Sequence, residues 1–387
     1  MNWLFPSQAG AVTPQRSLDN TVEALLAELS SLCMASPSAS LKALGFWLRP
    51  AHLKQMKTLV AGQRLRPRGH VLQVAPGNVD TLFIYVSLLA LWMGNVVTVR
   101  LSSRESEDER LLLTMLNTLN QHTQWQSALA RLRLLRCDYD DPQWLRQLAC
   151  ADVRVFWGSN QTLAQLSQLP KAAHCTELLM GHKHSLCLIH SAELLADQEM
   201  RWAEGFIRDT LEFAQQGCAS PRTLIWLGND EDNRQAQARF WSVIAEKSAK
   251  DSAAASRYPI DEAGALERLL QLQSLTMDGL ISAPWQQSGA FVRLPVSGLN
   301  QAQEARHPAQ GVIFEWQIEQ LASLATELRP WHQTLTFIGG SREALVDWAL
   351  SEAVPGLDRI EPVGQALVFD PVWDGHSLLL SLARLLR

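Results

Sequence analysis

Short runs of consecutive apolar residues alternate with amphipathic stretches along the first half of the chain. Uninterrupted apolar runs are typical of strands buried on both faces, and the stretches between them have the spacing of helices that cover a parallel sheet. Such sheets bind ligands at the carboxyl ends of their strands. The pattern predicts strands at residues 70–75, 96–101, 131–137, 153–156 and 186–189. The predicted helices are at residues 21–34, 81–93, 107–119, 142–148 and 161–169.

A stretch without charged residues, 81–99, is long enough to cross a bilayer. Gly94 and Asn95 interrupt it, and residues 96–99 after the interruption are all β-branched. This composition favours a buried helix, a tight turn and a buried strand over a membrane span. We therefore expect no integral membrane segment in this protein.

Composition narrows the class of protein. Apolar residues make up 47% of the 387 residues, which is ample for a large core, and an αβ pattern continues from about residue 191 to 357. The net charge is −5, from 34 basic and 39 acidic residues mixed along the chain, which gives no reason to expect nucleic-acid binding. Six cysteines lie scattered without paired spacing, and the N-terminus lacks the features of a signal peptide. Both observations favour a reducing, cytoplasmic location.

Cys218 is the first candidate for chemistry. Apolar residues at helical spacing precede it as far as Phe213, Gly217 ends that predicted helix, and residues 223–227 predict a short buried strand. A cysteine at such a junction has a fixed backbone, and thiolates form thioesters readily, so the placement suits covalent acyl chemistry. The alternative is a small buried apolar side chain without a chemical role.

Two further junctions lead from a predicted strand into a predicted helix, at residues 74–80 and 156–160. Each places a small or amide residue at the carboxyl end of a strand. The N–H groups and positive dipole end of a helix N-terminus suit a pyrophosphate or an oxyanion. Neither junction has the Gly-x-Gly-x-x-Gly pattern, and for the second one ordinary N-capping by Ser159 is the alternative.

Taken in order, these motifs resemble those of the aldehyde dehydrogenase superfamily. The stretches that carry this resemblance are 76–80 (PGNVD), 93–102 (MGNVVTVRLS), 156–159 (FWGS) and 216–218 (QGC). More narrowly, the chain is similar to the fatty-acyl-CoA reductases of the bacterial bioluminescence (LuxC) type. The narrower likeness rests on residues 215–222 (QQGCASPR), 359–367 (RIEPVGQAL) and 372–375 (VWDG). The resemblance covers about residues 45–387.

The resemblance implies an α/β fold of the aldehyde dehydrogenase kind, with two Rossmann-like three-layer αβα domains and parallel sheets. We expect a cofactor-binding domain over residues 1–190, with residues 358–387 packing back on it. A catalytic domain that carries the nucleophilic cysteine is expected over residues 191–357.

The resemblance also implies roles for individual residues. Cys218 matches the family nucleophile, and Asn78 matches the amide that holds the thioester oxygen together with the backbone N–H of the cysteine. Gly158 and Ser159 match the turn under the cofactor pyrophosphate. Glu315 resembles the glutamate that contacts the nicotinamide ribose, with an edge-strand carboxylate as the alternative. The positions matched to cofactor binding are Pro76, Gly77, Arg100, Ser103, Gly158, Ser159 and Glu315.

The choice of cofactor follows from the residues expected near the adenosine ribose. Arg100 stands where the superfamily usually has a lysine, and Ser103 stands where NAD-preferring members often have a glutamate. A carboxylate there would accept a hydrogen bond from the ribose of NAD, whereas a guanidinium binds a 2′-phosphate bidentately. The first carboxylate after Arg100 is Glu105, so we expect NADPH rather than NADH.

One position departs from the superfamily pattern. Leu179 falls where hydrolytic aldehyde dehydrogenases place a general-base glutamate, although Glu177 is two residues away and a shifted alignment would restore it. Without that base, water is not readily activated, and the acyl-enzyme must pass to another thiol or be reduced by hydride.

The implied activity is the NADPH-dependent reduction of a fatty acyl thioester to an aldehyde through an acyl-cysteine. The expected acyl donor is acyl-CoA, an acyl carrier protein or an acyl-protein ligase, and the chain is a candidate homo-oligomer. Two alternatives stay open. One is a CoA-acylating aldehyde dehydrogenase that runs in the oxidative direction, and the other is a non-redox acyl-binding or acyl-transfer protein of the same fold.

A metal site is not expected. His174, His182, His184 and His190 cluster in the sequence, but no carboxylate or thiolate completes a ligand set at a known spacing.

Overall fold

The computed structural model describes residues 1–6, 11–75, 82–368, 370, 372–373 and 375–387, with the side chains of Leu82 and Phe83 left out. The chain divides into two compact units. The first consists of Met1–Gly181 and Phe369–Arg387, and the second of His182–Val368. Each unit is built around its own large sheet.

Strands and helices alternate through most of the described chain. The strands are β1 (Asn2–Phe5), β2 (Leu65–Pro67), β3 (His70–Val74), β4 (Val96–Arg100), β5 (Leu132–Arg136), β6 (Val153–Trp157), β7 (Thr176–Met180), β8 (His184–His190), β9 (Pro221–Leu227), β10 (Gln286–Ser288), β11 (Phe291–Pro295), β12 (Val312–Ile318), β13 (His332–Ile338), β14 (Arg359–Pro362), β15 (Val372–Trp373), β16 (His376–Ser377) and β17 (Ala383–Leu385). The helices are α1 (Asn20–Met34), α2 (Ala39–Trp47), α3 (Pro50–Leu59), α4 (Leu82–Trp92), α5 (Glu107–Asn120), α6 (Thr123–Leu129), α7 (Pro142–Cys150), α8 (Asn160–Ser167), α9 (Ser191–Ala196), α10 (Trp202–Leu211), α11 (Asp230–Lys247), α12 (Ala253–Arg257), α13 (Glu262–Met277), α14 (Gln301–Ala305), α15 (Leu321–Glu327), α16 (Arg342–Ser351) and α17 (Leu378–Ser381).

The sheet of the first unit has the strand order β1-β5-β4-β3-β6-β7, parallel except for β1, which runs antiparallel to β5. The strand that comes first in the parallel series, β3, lies in the middle. The next two strands lie on one side of it and the last two on the other. This is the order of a doubly wound sheet, and its direction reverses between β3 and β6. The predicted α/β fold with two parallel sheets is confirmed.

The uncharged stretch after β3 forms a buried helix, a turn and a buried strand. Every side chain of α4 from Ile84 onward is buried, and so is all of β4. Gly94 has a φ of 88°, which lets the chain turn between the two elements, and a Cβ there would lie 2.1 Å from the carbonyl oxygen of Gln15. Among the described residues, no helix has both the length and the apolar character that a membrane span requires.

Asn95 holds this turn in place from inside the first unit. Its side-chain oxygen accepts hydrogen bonds from the backbone N–H groups of Arg68 and Gly69, at 2.9 and 3.1 Å. Its side-chain nitrogen donates to the carbonyls of Ala90 and Leu382, both at 2.9 Å. The residue is fully buried, and the Arg68 N–H, the Gly69 N–H and the Leu382 carbonyl depend on its side chain for a partner. The Ala90 carbonyl also accepts from the backbone N–H of Asn95, at 3.1 Å.

The sheet of the second unit has the order β10-β11-β12-β9-β8-β13-β14, parallel except for β10. The strand predicted at residues 186–189 is present as β8, but it lies in the centre of this second sheet and not in the first. A buried apolar run reveals a strand without revealing which sheet contains it. The units therefore separate at residue 181, before this strand, and not after residue 190 as the expected domain boundary has it.

The C-terminal segment also divides differently from the expected packing of residues 358–387 on the first domain. β14 pairs with β13, so the part up to Val368 belongs to the second unit. The remainder closes the first unit, where β17 pairs antiparallel with β2. The RIEPVGQAL stretch is thus part of the unit that holds Cys218.

We predict that Asn95→Ala lowers the free energy of unfolding by about 3 kcal/mol or more, because a buried backbone group without a partner costs about 1–3 kcal/mol. Urea denaturation followed by circular dichroism measures the change. Asn117→Ala is the matched control, since the Asn117 amide donates only to the Leu113 carbonyl on an exposed helix face. Equal stability loss in the two variants would contradict this account of the turn.

Candidate active site

The loop that carries Cys218 begins where α10 ends, at Leu211. Phe213, Ala214 and Gln215 follow with φ values of 55°, 52° and 63°, so the backbone turns left-handed and the helix cannot continue. The prediction that this helix runs to Gly217 is therefore wrong, and Phe213 is exposed instead of lying on the buried helix face. The predicted strand after the cysteine is present as β9.

Gln215 anchors this loop to two strands of the second sheet. It is fully buried, and its side-chain nitrogen donates to the carbonyls of Pro221 at 2.7 Å and Val312 at 2.9 Å. Its side-chain oxygen accepts from the backbone N–H of Gly311 at 2.9 Å. One amide therefore ties the loop to the first residues of β9 and β12, and this accounts for three consecutive residues in a strained left-handed conformation.

Cys218 lies just before β9, at the end of the second sheet where the parallel strands begin, and it is partly exposed. This end of the sheet is called its amino-terminal edge below. Ser185 at the start of β8 donates its hydroxyl to the Cys218 carbonyl at 2.6 Å. The Ser220 N–H donates to the Gly217 carbonyl at 3.1 Å, which closes a turn around the cysteine. Hydrogen bonds thus fix the backbone on both sides of Cys218, and the residue remains partly accessible to solvent.

The other cysteines differ in setting. All six lie among the described residues, and none is joined to another in a disulfide. Cys33 and Cys187 are buried, and burial raises the pKa of each thiol to about 12. Burial also raises the pKa of Cys137 and Cys175, and Cys150 is exposed. A raised pKa disfavours the thiolate, which is the reactive form.

Basic side chains gather at the same edge of the second sheet, at the starts of its strands. Arg222 in β9 places its Nη1 3.3 Å from Nε2 of His182. The ring centroid of His184, in β8, is 5.8 Å from that of His307 and 6.1 Å from that of His332. His184 also places Nε2 2.9 Å from the hydroxyl of Thr223, so this edge is polar although it is buried.

Most of these histidines are neutral near pH 7. Burial lowers the pKa of His182, and the neighbouring Arg222 lowers it further. Burial also lowers the pKa of His184 and His307 well below the usual value. Glu304 is the carboxylate of the cluster. It accepts a hydrogen bond from Trp331 Nε1 at 2.8 Å and lies 3.0 Å from Nε2 of His332.

In the first unit, the predicted cofactor residues lie at the carboxyl ends of strands. Gly158 and Ser159 follow β6, on one side of the reversal point of the sheet, and the Ser159 hydroxyl accepts from the N–H of Thr162 at 3.2 Å as the N-cap of α8. A Cβ on Gly158 would lie 3.3 Å from Cβ and Cγ2 of Thr162, so a larger residue here would require Thr162 to shift by a few tenths of an ångström. Pro76, Gly77 and Asn78, which follow β3, lie outside the described residues.

Arg100 ends β4, the neighbour of β3. Its Nε donates to the Cys137 carbonyl at 3.0 Å, and its guanidinium lies 3.6 Å above the ring of Tyr139. Ser103 and Arg104 follow in an exposed turn, and Glu105 is paired with Arg136 at 3.0 Å. The Arg100 guanidinium is therefore held in place by Cys137 and Tyr139. Glu105, the first carboxylate after it in the sequence, is already paired with Arg136.

Glu315 is deeply placed in β12 of the second unit. One of its carboxylate oxygens accepts from the indole N–H groups of Trp226 at 3.1 Å and Trp241 at 2.7 Å. Its other oxygen lies 3.5 Å from Nη1 of Arg293. Burial raises the pKa of Glu315, while these donors act to lower it. These are contacts of a structural carboxylate, and contact with a nicotinamide ribose stays a prediction.

Leu179 and Glu177 lie on β7 in the first unit. Leu179 is 41% exposed. Glu177 forms ion pairs with the fully buried Arg154, at 3.3 Å, and with Lys171. Both oxygens of the Glu177 carboxylate are thus engaged in ion pairs. Among the residues with described placement, no group of three or more His, Cys, Asp or Glu side chains is arranged to hold a metal ion.

The arrangement is that of an aldehyde dehydrogenase fold, and three solved structures show it. Aldehyde dehydrogenase 21 from Physcomitrella patens, in complex with succinate, is 12% identical with a TM-score of 0.63, over 95% of this chain and 83% of that one. NADP-dependent glyceraldehyde-3-phosphate dehydrogenase from Bacillus halodurans, complexed with NADP, is 13% identical with a TM-score of 0.64, over 95% and 83%. The 1-pyrroline-5-carboxylate dehydrogenase from Thermus, with bound NAD, is 13% identical with a TM-score of 0.63, over 95% and 79%. At these identities the likeness establishes the fold alone.

The family is shown by sequence. The acyl-CoA reductase (LuxC) family model matches residues 49–386. The chain belongs to the LuxC acyl-CoA reductase family, and it is an oxidoreductase of acyl and aldehyde chemistry. A search of curated proteins finds no match.

Sequence reasoning singled out Cys218 but missed the residues that hold its surroundings. Gln215 and Arg222 lie inside the QQGCASPR motif, and that motif was the available signal. His307, His332 and Glu304 gave no signal, because they come from distant parts of the chain and meet only through the order of the strands.

We predict that Gln215→Leu lowers the free energy of unfolding by about 3 kcal/mol or more, because three buried backbone groups lose their partner at about 1–3 kcal/mol each. Gln216→Leu is the control, since Gln216 is exposed on the same loop. Hydrogen exchange should show faster exchange at the Gly311 amide in the first variant alone. Unchanged protection at Gly311 would mean that Gln215 does not anchor the loop.

Proposed function

We propose that this protein reduces a fatty acyl thioester to the aldehyde through an acyl-cysteine on Cys218, with NADPH as reductant. The family supports the overall reaction. The observation that carries the assignment of the nucleophile is the loop itself: Gln215 and Ser185 fix the backbone around a partly exposed cysteine at a polar sheet edge. A fixed nucleophile can be held in an attacking geometry at little further cost in entropy.

In the proposed reaction the Cys218 thiolate attacks the acyl carbon, and the bond from that carbon to the carrier sulfur breaks. The carrier thiolate leaves and takes a proton from water. Asn78, together with the backbone N–H of the cysteine, is the proposed donor set for the oxyanion that forms during the attack. The acyl group is then held on Cys218 as a thioester.

A nicotinamide cofactor, which Gly158, Ser159 and Arg100 would hold, would supply hydride to that thioester. The acyl carbon then stays on Cys218 as the anion of a thiohemiacetal. As its oxygen re-forms the carbonyl, the carbon–sulfur bond breaks, and the aldehyde leaves while the electron pair returns to the Cys218 thiolate. Leu179 stands at the position of the hydrolytic base, and Glu177 beside it is engaged by Arg154 and Lys171. The acyl-enzyme is therefore expected to persist in water until it is reduced.

The first unit suits a dinucleotide. Its strand order reverses between β3 and β6, and Gly158 and Ser159 lie at that point. Of the three solved structures described above, one contains NADP and another NAD, so the fold accepts both. Arg100, at the end of the strand next to β3, supports NADPH because a guanidinium pairs with a 2′-phosphate.

The acyl donor is proposed to be acyl-CoA or an acyl group carried by a protein, either an acyl carrier protein or an acyl-protein ligase. Each presents the same thioester to Cys218. A panel of acyl-CoA and acyl carrier protein substrates of different chain lengths separates them by kcat/KM.

We predict that incubation with acyl-CoA, without nicotinamide, adds one acyl group to Cys218, and that Cys218→Ala abolishes both this adduct and aldehyde formation. Intact-protein and peptide mass spectrometry measures the adduct. Cys150→Ala, which removes an exposed cysteine, is expected to keep both. Acylation without oxidation of NADPH would favour an acyl-transfer protein, and aldehyde formation by Cys218→Ala would overturn the mechanism.

The cofactor preference is tested at Arg100. We expect wild-type enzyme to use NADPH with a higher kcat/KM than NADH, and Arg100→Ala to lose roughly tenfold or more with NADPH while NADH is little affected, since a charge-assisted contact is worth about 1.5–3 kcal/mol. Arg104→Ala, in the exposed turn that follows, is the control. Equal use of both cofactors by the wild type would contradict the proposal.

A further inference from the structure

Arg222 is a buried cation that lacks a carboxylate partner. It is only 8% exposed, and its Nε is buried without a hydrogen-bond partner. Its Nη1 contacts Nε2 of His182 at 3.3 Å. Over the described part of the chain, no carboxylate lies within ion-pair distance of it. A buried charge is costly unless something of opposite charge balances it.

The histidines around Arg222 do not balance its charge. His182, His184 and His307 have pKa values lowered by burial, so they are neutral near pH 7 and contribute no negative charge. Glu304 is bound by Trp331 and His332. Burial lowers the pKa of Arg222, and the group that acts in the opposite direction is Cys218, four residues earlier in the chain.

We propose that Arg222 is a positioning residue whose buried guanidinium holds Cys218 as a thiolate in the resting protein. This deepens the proposed function and rests on it, since it explains how the nucleophile is charged before the acyl donor arrives. The S–H bond breaks, its proton passes to solvent, and the electron pair stays on sulfur beside the guanidinium. His182 accepts from Arg222 through Nε2 and thereby orients the guanidinium.

The geometry also explains why the charge stays on Arg222. A neutral histidine at Nη1 accepts a hydrogen bond without adding a second cation or removing the first. In the proposed resting state the Nε–H of Arg222, which has no partner in the structure, donates to the Cys218 thiolate. The turn from Gly217 to Ser220, with Ser185 on the Cys218 carbonyl, keeps the cysteine close to the start of β9.

The test measures the rate at which iodoacetamide alkylates Cys218 between pH 5 and 10, by peptide mass spectrometry and without any acyl donor or cofactor. Only the thiolate reacts, so the midpoint of the pH profile reports its formation. In the wild type we expect a midpoint at least about one unit below the ordinary thiol value of about 8.5. Arg222→Met should raise the midpoint by about one to three units, and Arg222→Lys by less, because it keeps the charge.

Arg239→Met is the matched control. The Arg239 guanidinium donates to the carbonyls of Leu195 and Asp197, which follow the carboxyl end of β8, whereas Cys218 lies where the strands of the same sheet begin. The midpoint should therefore not move in this variant. A wild-type midpoint at or above 8.5 overturns the proposal even if a variant fails to fold. So does an unmoved midpoint in Arg222→Met. A low wild-type midpoint that rises in Arg222→Met, in a protein that forms no acyl adduct, supports the ion pair and refutes the proposed function.

Discussion

The central strands of both large sheets are buried on both faces, and this constraint decides where chemistry can occur. A strand covered by helices on each side has no room for solvated polar groups along its length, so these groups collect at its ends. In the first unit Arg100 is the last residue of a strand, and Gly158 and Ser159 follow the carboxyl end of another. Cys218 and Arg222 stand at an amino end in the second. Charged side chains that lie within strands need polar partners around them. Glu315 has two indole donors and an arginine, and Arg154 has Glu177.

Holding a reactive side chain at a strand end requires a loop that does not move. The loop before β9 solves this with an amide inside the protein and not with contacts on its surface. Gln215 bonds backbone groups of two strands, and those bonds offset the cost of three left-handed residues. Strain of this kind persists only where the surroundings impose it, and it is found most often where function requires a fixed geometry.

The elements of the first half were predictable because each buried strand is a continuous apolar run. β3 to β6, with α4, α5 and α7 between them, appear where the pattern places them, whereas the short helix α6 was not predicted. β1 and β7 were missed, since β1 is an antiparallel edge and β7 contains Glu177, whose pairing with buried Arg154 cannot be read from the sequence. The sheet that contains β8 was not predictable, because hydrophobicity marks burial and not strand order.

The candidate site was predictable only as far as it is local in sequence. Cys218 stands beside its strand in a recognisable motif, and Gly158 and Ser159 stand beside theirs. The partners of Gln215 at Gly311 and Val312 lie almost a hundred residues away. The carboxylate at Glu304 meets His332 only because the connections of the second sheet bring them to one edge. The spacing of residues within a short stretch of sequence contains no information about contacts between residues that are far apart in the chain.

The first unit is not continuous in the chain, since Phe369–Arg387 completes it after the whole second unit has intervened. Arg68 donates to the Ser381 carbonyl at 2.7 Å, and β2 has its partner strand only in β17. During synthesis β2 therefore has no partner strand until residues 383–385 have been made. The late strand acts as a latch, so a chain that stops between residues 368 and 383 contains the whole second unit but leaves the first unit unfinished.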